Sequence, residues 1–295
     1  MASTSSPITD TIRECTARSS VGGCGHDIRL LSVPLVRVQG GPYGGYRGPV
    51  QDLLLMSALL VPSRDTPPID QAVIVTSARW DSRRATLRRF ERTDQGWVRQ
   101  GRAVRAWLGS NGFAPARARR QNSGQTPAGV FDLPSAFGHG KGGSLSLPYH
   151  RITPRSYWPY DPRDPYTYNV LQTKRTKSAR WRDDGQWSER LLDYGRAYRY
   201  AVVIGYNLPE AVYRGPSGQW RATRPARTDK GGGIFLHVSR NRPTAGCVAI
   251  PQRAMREAQR WLDPQANPHI VMGPEAVTRD WRKRLRATAS SSSVS

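Results

Sequence analysis

Two side chains able to do covalent chemistry stand ten residues apart, in the run His237-Val-Ser-Arg-Asn-Arg-Pro-Thr244-Ala-Gly246-Cys247. A cysteine attacks as its thiolate, and a free thiol has a pKa of ~8.5, so it needs help at neutral pH. A nearby histidine gives that help as a base or as an ion-pair partner. Gly246 permits a tight turn whose N–H groups can face a developing oxyanion. Residue types alone leave two readings open. Cys247 is either a nucleophile or an inert packed thiol, since cysteine is among the most buried residue types. His139, His150 and His269 read as surface or loop histidines, and Asp183-Asp184 as a solvated pair. Cys15, Cys24 and His26 lack any usual zinc spacing, so no metal site is expected.

The elements around the pair are mostly extended. Ala72–Thr76 (AVIVT) has β-branched residues and no helical period, which predicts a buried strand. Thr86–Arg92, Gly96–Gln100, Tyr198–Tyr206 and Gly231–Val238 are further strand candidates, separated by polar turns. His237 ends the last of these. Between Ala114 and Tyr168 the chain is rich in Gly, Pro, Ser and aromatics and reads as loop. One helix is marked: Pro251 suits its first position, Ala254, Met255, Ala258, Trp261 and Leu262 follow at helical spacing, and Pro264 stops it. Pro268–Gly273 returns to a strand. The expected class is mainly β.

The chain has 295 residues with 45 Lys and Arg against 22 Asp and Glu, a net charge of +23. Residues 1–70 are charge-balanced, so the excess lies beyond them. Only five of the cations are lysines. That bias fits either a GC-rich genome or a polyanionic partner. No helix-turn-helix, zinc-finger, RRM or KH pattern supports nucleic acid. An anionic cell-envelope polymer would be drawn by the same field. No apolar run reaches the ~20 residues of a membrane-spanning helix. Leu53–Val61 (LLLMSALLV) has instead the length of a signal-peptide core. Residues 1–63 are therefore read as an export leader or N-terminal extension, the alternative being a short buried helix or strand. The Pro-rich stretch 64–70 follows as a linker, 71–275 as the main domain, and 276–295 as a basic, Ser-rich disordered tail.

Ile234–Ile250, IFLHVSRNRPTAGCVAI, resembles the catalytic segment of the L,D-transpeptidase (YkuD-type) family, in which a histidine after a strand precedes [Ser/Thr]-x-Gly-Cys. Gly124–Gly138, GQTPAGVFDLPSAFG, looks like the family's G-x-TPAG-x-F segment. Leu147–Tyr149, Trp158–Tyr160, Tyr168–Asn169 and Asp193–Asn207 are similar to an actinobacterial branch. Many members carry His two before the nucleophile and Arg or Asn two after it; here those positions are Ala245 and Ala249.

The resemblance implies a β-sandwich with a few short helices around one cleft. It implies an exported enzyme that cross-links peptidoglycan stem peptides through a thioester and needs no cofactor. Cys247 would be the nucleophile, His237 the general base and acid, and Gly246 and Cys247 the oxyanion donors, with Thr244 orienting the loop. Attack falls on the carbonyl of the third stem residue and expels D-alanine. An amine acceptor gives a 3→3 cross-link; water gives a carboxypeptidase. Tyr206, Asn207 and Trp158 are candidates to line the substrate groove, with structural packing the alternative for each. Two competing functions stand beside the enzyme: a non-catalytic module holding anionic wall polymer through its arginines, and a nucleic-acid binder favoured by charge alone.

Overall fold

The computed structural model describes residues 67–142 and 145–292. The leader, with Leu53–Val61, Cys15, Cys24 and His26, and residues 64–66 of the 64–70 linker lie outside the described residues. In chain order the strands are β1 (Gln71–Ser77), β2 (Arg84–Thr93), β3 (Gly96–Trp107), β4 (Phe113–Pro115), β5 (Thr126–Asp132), β6 (Ala136–Gly138), β7 (Tyr149–Arg151) and β8 (Tyr157–Pro159). They continue as β9 (Ser188–Arg190), β10 (Tyr200–Val203), β11 (Glu210–Arg214), β12 (Trp220–Arg224), β13 (Phe235–Val238), β14 (Val248–Ile250) and β15 (His269–Pro274). Eleven form one mixed sheet in the order β4-β5-β15-β1-β2-β3-β14-β13-β10-β6-β7. β8 pairs with β9 and β11 with β12 as separate ribbons. The mainly β expectation holds.

A sheet this wide curls on itself, and the burial pattern records it. Val73 and Val75 of β1, Leu87 of β2 and Met272 of β15 share one core with Val202 of β10, Leu236 and Val238 of β13 and Ile250 of β14. Both ends of the sheet thus turn one face inward, as in a sandwich. Strand alternation sends the intervening residues the other way. Ala72 and Ile74 pack under Trp281 and Leu285. Phe235 joins Phe137, Trp158, Tyr198 and Cys247 in a third cluster.

The marked helix is α1 (Gln252–Trp261), with Pro251 as its N-cap, one position before the expected one. Met255 and Leu262 enter the main core, and Gln259 donates to the carbonyls of Phe137 and Ala201. Two expectations need correction. Of Gly231–Val238, only the last four residues are strand, because the three glycines turn aside to line a cavity. Residues 276–292, from the stretch expected to be disordered, are largely helical within α2 (Glu275–Thr278) and α3 (Trp281–Ser292). The reason is Trp281, which is 8% exposed and packs 4.9 Å from the Phe90 ring and 5.0 Å from that of Trp97. A basic composition masked one anchoring aromatic. Among the described residues no helix is long and apolar enough to cross a membrane.

Candidate active site

β13 and β14 lie side by side and parallel, with His237 opposite Ala249. Extending that register by one alternate step sets Cys247 beside Phe235, whose N–H donates to Cys247 Sγ at 3.4 Å. The period of a strand puts Leu236 and Val238 into the core and Phe235 and His237 on the opposite face. Cys247 shares that face. Parallel pairing is thus what brings imidazole and thiol to one surface.

The return loop is held by Thr244. Its N–H donates to Leu108 O, its carbonyl accepts from Ser110, and its Oγ1 accepts the Gly246 N–H at 3.1 Å while donating to Cys247 O at 2.7 Å. Gly246 has a φ of 151°, and a Cβ there would lie 3.0 Å from both Arg119 Nη2 and Gln125 O. A side chain does not fit. The expected oxyanion role of Gly246 needs correction, because Thr244 already engages its N–H. The Cys247 N–H has no protein acceptor among the described residues.

Two cavities meet at Cys247. One, of about 250 Å³, is lined by His237, Tyr194, Tyr198, Arg240, Thr244 and Ala249. The other, of about 270 Å³, is lined by Arg119, Gln121, Tyr160, Gly231–Gly233 and Gly246. Glu189, from β9, borders both.

The charges are set by burial. His237 Nδ1 lies 3.0 Å from Val238 O. A carbonyl only accepts, so Nδ1 carries the proton and Nε2 the lone pair. Burial, with the Arg240 charge adding to it, brings the imidazole down to about 4. Burial pushes the Cys247 thiol up to about 12; the Glu189 charge adds to this, and the Phe235 N–H and Arg119 oppose it. Burial lifts Glu189 to about 7 against the hydroxyls of Tyr198 and Tyr194. Tyr198 OH donates to Glu189 Oε2 at 2.5 Å, and its ring stands edge-on to His237 at 5.5 Å. At neutral pH the pair is therefore a thiol and a neutral imidazole, not an ion pair.

A model of the YkuD L,D-transpeptidase catalytic domain matches residues 89–271. The chain belongs to that family. No curated protein and no solved structure gives a match.

In this YkuD domain the motif residues Cys247, His237, Thr244 and Gly246 gather at one site. The three groove candidates do not line either cavity. Trp158 is 4% exposed, packs on Phe137 and Phe235, and donates Nε1 to Asn169 Oδ1 at 2.7 Å. Asn207 donates Nδ2 to Arg227 O and Gly231 O. Tyr206 OH donates to Lys230 O, and its ring underlies the Arg119 guanidinium at 5.3 Å. Their work is structural. Asn169 Oδ1 also accepts the Gly233 N–H, so these residues pin the triglycine wall of the second cavity. His139, His150 and His269 border neither cavity.

Sequence reasoning missed Arg119, Glu189, Tyr194 and Tyr198. Arg119 is one arginine in the run ARARRQ, and Glu189 sits in the polar stretch DDGQWSER. Neither spacing nor composition distinguishes them. The segment carrying Glu189 is fastened by Asp161, which is fully buried and takes hydrogen bonds from Arg163 and Arg182.

Proposed function

We propose that the protein is a cysteine-dependent L,D-transpeptidase acting on peptidoglycan stem peptides. The observation that carries this reading is the Cys247 thiol at the junction of two cavities, with His237 bordering one of them and its Nε2 unprotonated. His237 Nε2 takes the thiol proton as Sγ attacks the carbonyl of the third stem residue. The new C–S bond replaces the C–N bond to D-alanine, which leaves as a free amine carrying the proton from His237. The amine of a second stem then enters, and its attack on the thioester forms the 3→3 link and restores the thiol. Water in place of the amine gives an L,D-carboxypeptidase. The Cys247 N–H is the oxyanion donor left by the bonding of Gly246.

Burial of both groups favours proton transfer during attack over a standing thiolate. The proposal places the protein outside the cytoplasmic membrane, at the cell wall. Residues 1–63 serve as leader and are dispensable for catalysis by 64–295. The excess of arginine adds attraction to anionic wall polymer.

Intact-mass measurement after incubation with a carbapenem tests the reading. A single covalent adduct is expected on the parent and none on Cys247→Ala. Absence of an adduct on the parent, together with retention on purified wall, would favour the non-catalytic wall-binding module.

A further inference from the structure

Arg119 is a buried cation without an anion. It is 3% exposed. Its Nε donates to Gln125 O at 2.8 Å and its Nη1 to Lys230 O at 2.6 Å. Nη2 is the arm that reaches Gly246 in the second cavity, and the Tyr206 hydroxyl also bonds to the guanidinium. Of the acidic groups nearby, Asp229 is paired to Arg120, Arg227 and Lys230, and Glu189, which borders the same cavity, takes the Tyr198 hydroxyl instead. A buried charge is costly unless an opposite charge meets it. Protein carbonyls and the Tyr206 ring hold this guanidinium in place, so it is oriented before any ligand arrives. Its position is one residue from the nucleophile.

We infer that Arg119 is a specificity residue that binds the free carboxylate of the donor's leaving D-amino acid. This rests on the transpeptidase reading above. In a peptide held for attack at Cys247, the carboxylate of the residue after the scissile carbonyl lies only three bonds from that carbonyl carbon. Seated in the second cavity, it meets Nη2 while the acyl part extends past Cys247 toward His237. The interaction changes no bond. The C–N bond breaks, the amine takes its proton from His237, and the carboxylate keeps its charge and departs with the leaving group. A charge-assisted bond from arginine selects carboxylate over an amide of the same size. It also supplies a cation near the nucleophile in a chain whose position 249 is alanine.

The test compares a stem tetrapeptide ending in D-alanine with its C-terminal amide, reading release of D-alanine or D-alaninamide. The parent should show kcat/KM roughly 10–100-fold higher for the acid, as expected for one hydrogen bond to a charged group. Arg119→Gln should bring the acid down to the level of the amide, the acid losing far more than the amide and chiefly through KM. Arg119→Lys keeps the cation and a donor for Lys230 O. It should retain part of the preference and serves if the Gln variant fails to fold. Equal use of acid and amide by the parent overturns the inference. So does a folded variant that keeps the full parental preference, or one that loses both substrates equally through kcat, which would place Arg119 at the oxyanion. A parent that forms a carbapenem adduct yet ignores the carboxylate sinks this inference alone. A parent that forms no adduct and turns over neither peptide sinks the transpeptidase reading with it.

Discussion

The Cys247 thiol hydrogen-bonds to the carbonyl of Gly233, 3.3 Å away, rather than to His237. The resting sulfur is thus held by backbone on both sides, by this carbonyl and by the Phe235 N–H. An attack assisted by His237 needs the sulfur to leave Gly233 and turn toward the imidazole. The tri-glycine wall is therefore part of the resting lock, and Asn169 fixes it.

His237→Gln should lower kcat by roughly 10²–10⁴ and change KM little, since a proton-transfer group acts mainly in the transition state. The folded-state pKa of His237 is depressed to about 4, below its unfolded value. The parent's kcat should therefore hold across neutral pH and fall only as pH approaches about 4. Stability carries the same sign. It is fully present above the unfolded histidine value and is lost as pH falls through about 4. The Gln variant should show a smaller drop in melting temperature over that window. Parallel curves for parent and variant would remove His237 from this role.

Glu189→Gln should make the thiol easier to ionise, because the carboxylate charge helps hold Cys247 high. Alkylation of Cys247 by iodoacetamide at pH 8 to 9 should be faster in the variant, and less so below pH 6, where Glu189 is protonated in the parent. The folded-state value of Glu189 is raised to about 7. Its contribution to stability is thus present below the unfolded carboxyl range and lost as pH rises through about 7. The variant should gain on the parent over that rise. Equal alkylation rates across the whole range would show that Glu189 does not act on the sulfur.

Thr244→Ala removes the hydroxyl that joins Gly246 to Cys247. A stability loss of about 1–3 kcal/mol is expected, the cost of two bonds and a newly unpaired carbonyl. The loss in kcat should exceed the change in KM, because the nucleophile's backbone shifts. Thr244→Ser should restore both. Denaturant titration and steady-state kinetics on the three proteins decide it. A fully active alanine variant would sink the assignment.

Trp281→Ala should cost about 3–5 kcal/mol, as for other large buried aromatics. Such a loss, read by urea unfolding, marks α3 as part of the fold. A disordered segment would give no change.

The sequence was readable where one physical pattern dominated. β-Branched residues at Ala72–Thr76 and helical spacing at Met255, Ala258 and Leu262 each answer to a single local rule, and both elements are present. The His–Cys pair stood out because its residue types, a histidine after a strand and Thr-x-Gly-Cys, resembled a family segment. Arg119 and Glu189 were not readable. Their roles come from β5 and β9 bringing distant chain to one cavity wall, and no local pattern records that. Trp158, Tyr206 and Asn207 stayed open between groove and packing for the related reason that an aromatic or amide near a site looks the same whether it faces the cavity or supports its wall. Residues 276–292 were misread because charge counting weighs every residue alike, whereas one buried tryptophan fixes the helix.

His237 sits in β13 and Cys247 directly before β14, so the frame of the sheet, and not the chain between them, sets their spacing. Between Val238 and Thr244 the connection runs through exposed Arg240, Asn241 and Arg242. Arg240 and Arg242 also border the cavity of His237, and Arg240 bonds to Tyr194 O, so the loop sets the charge at the rim while the sheet sets the distance. A charge changed at the rim alters the field on the imidazole without altering the register, whereas a change at Thr244 or Gly246 moves the sulfur itself.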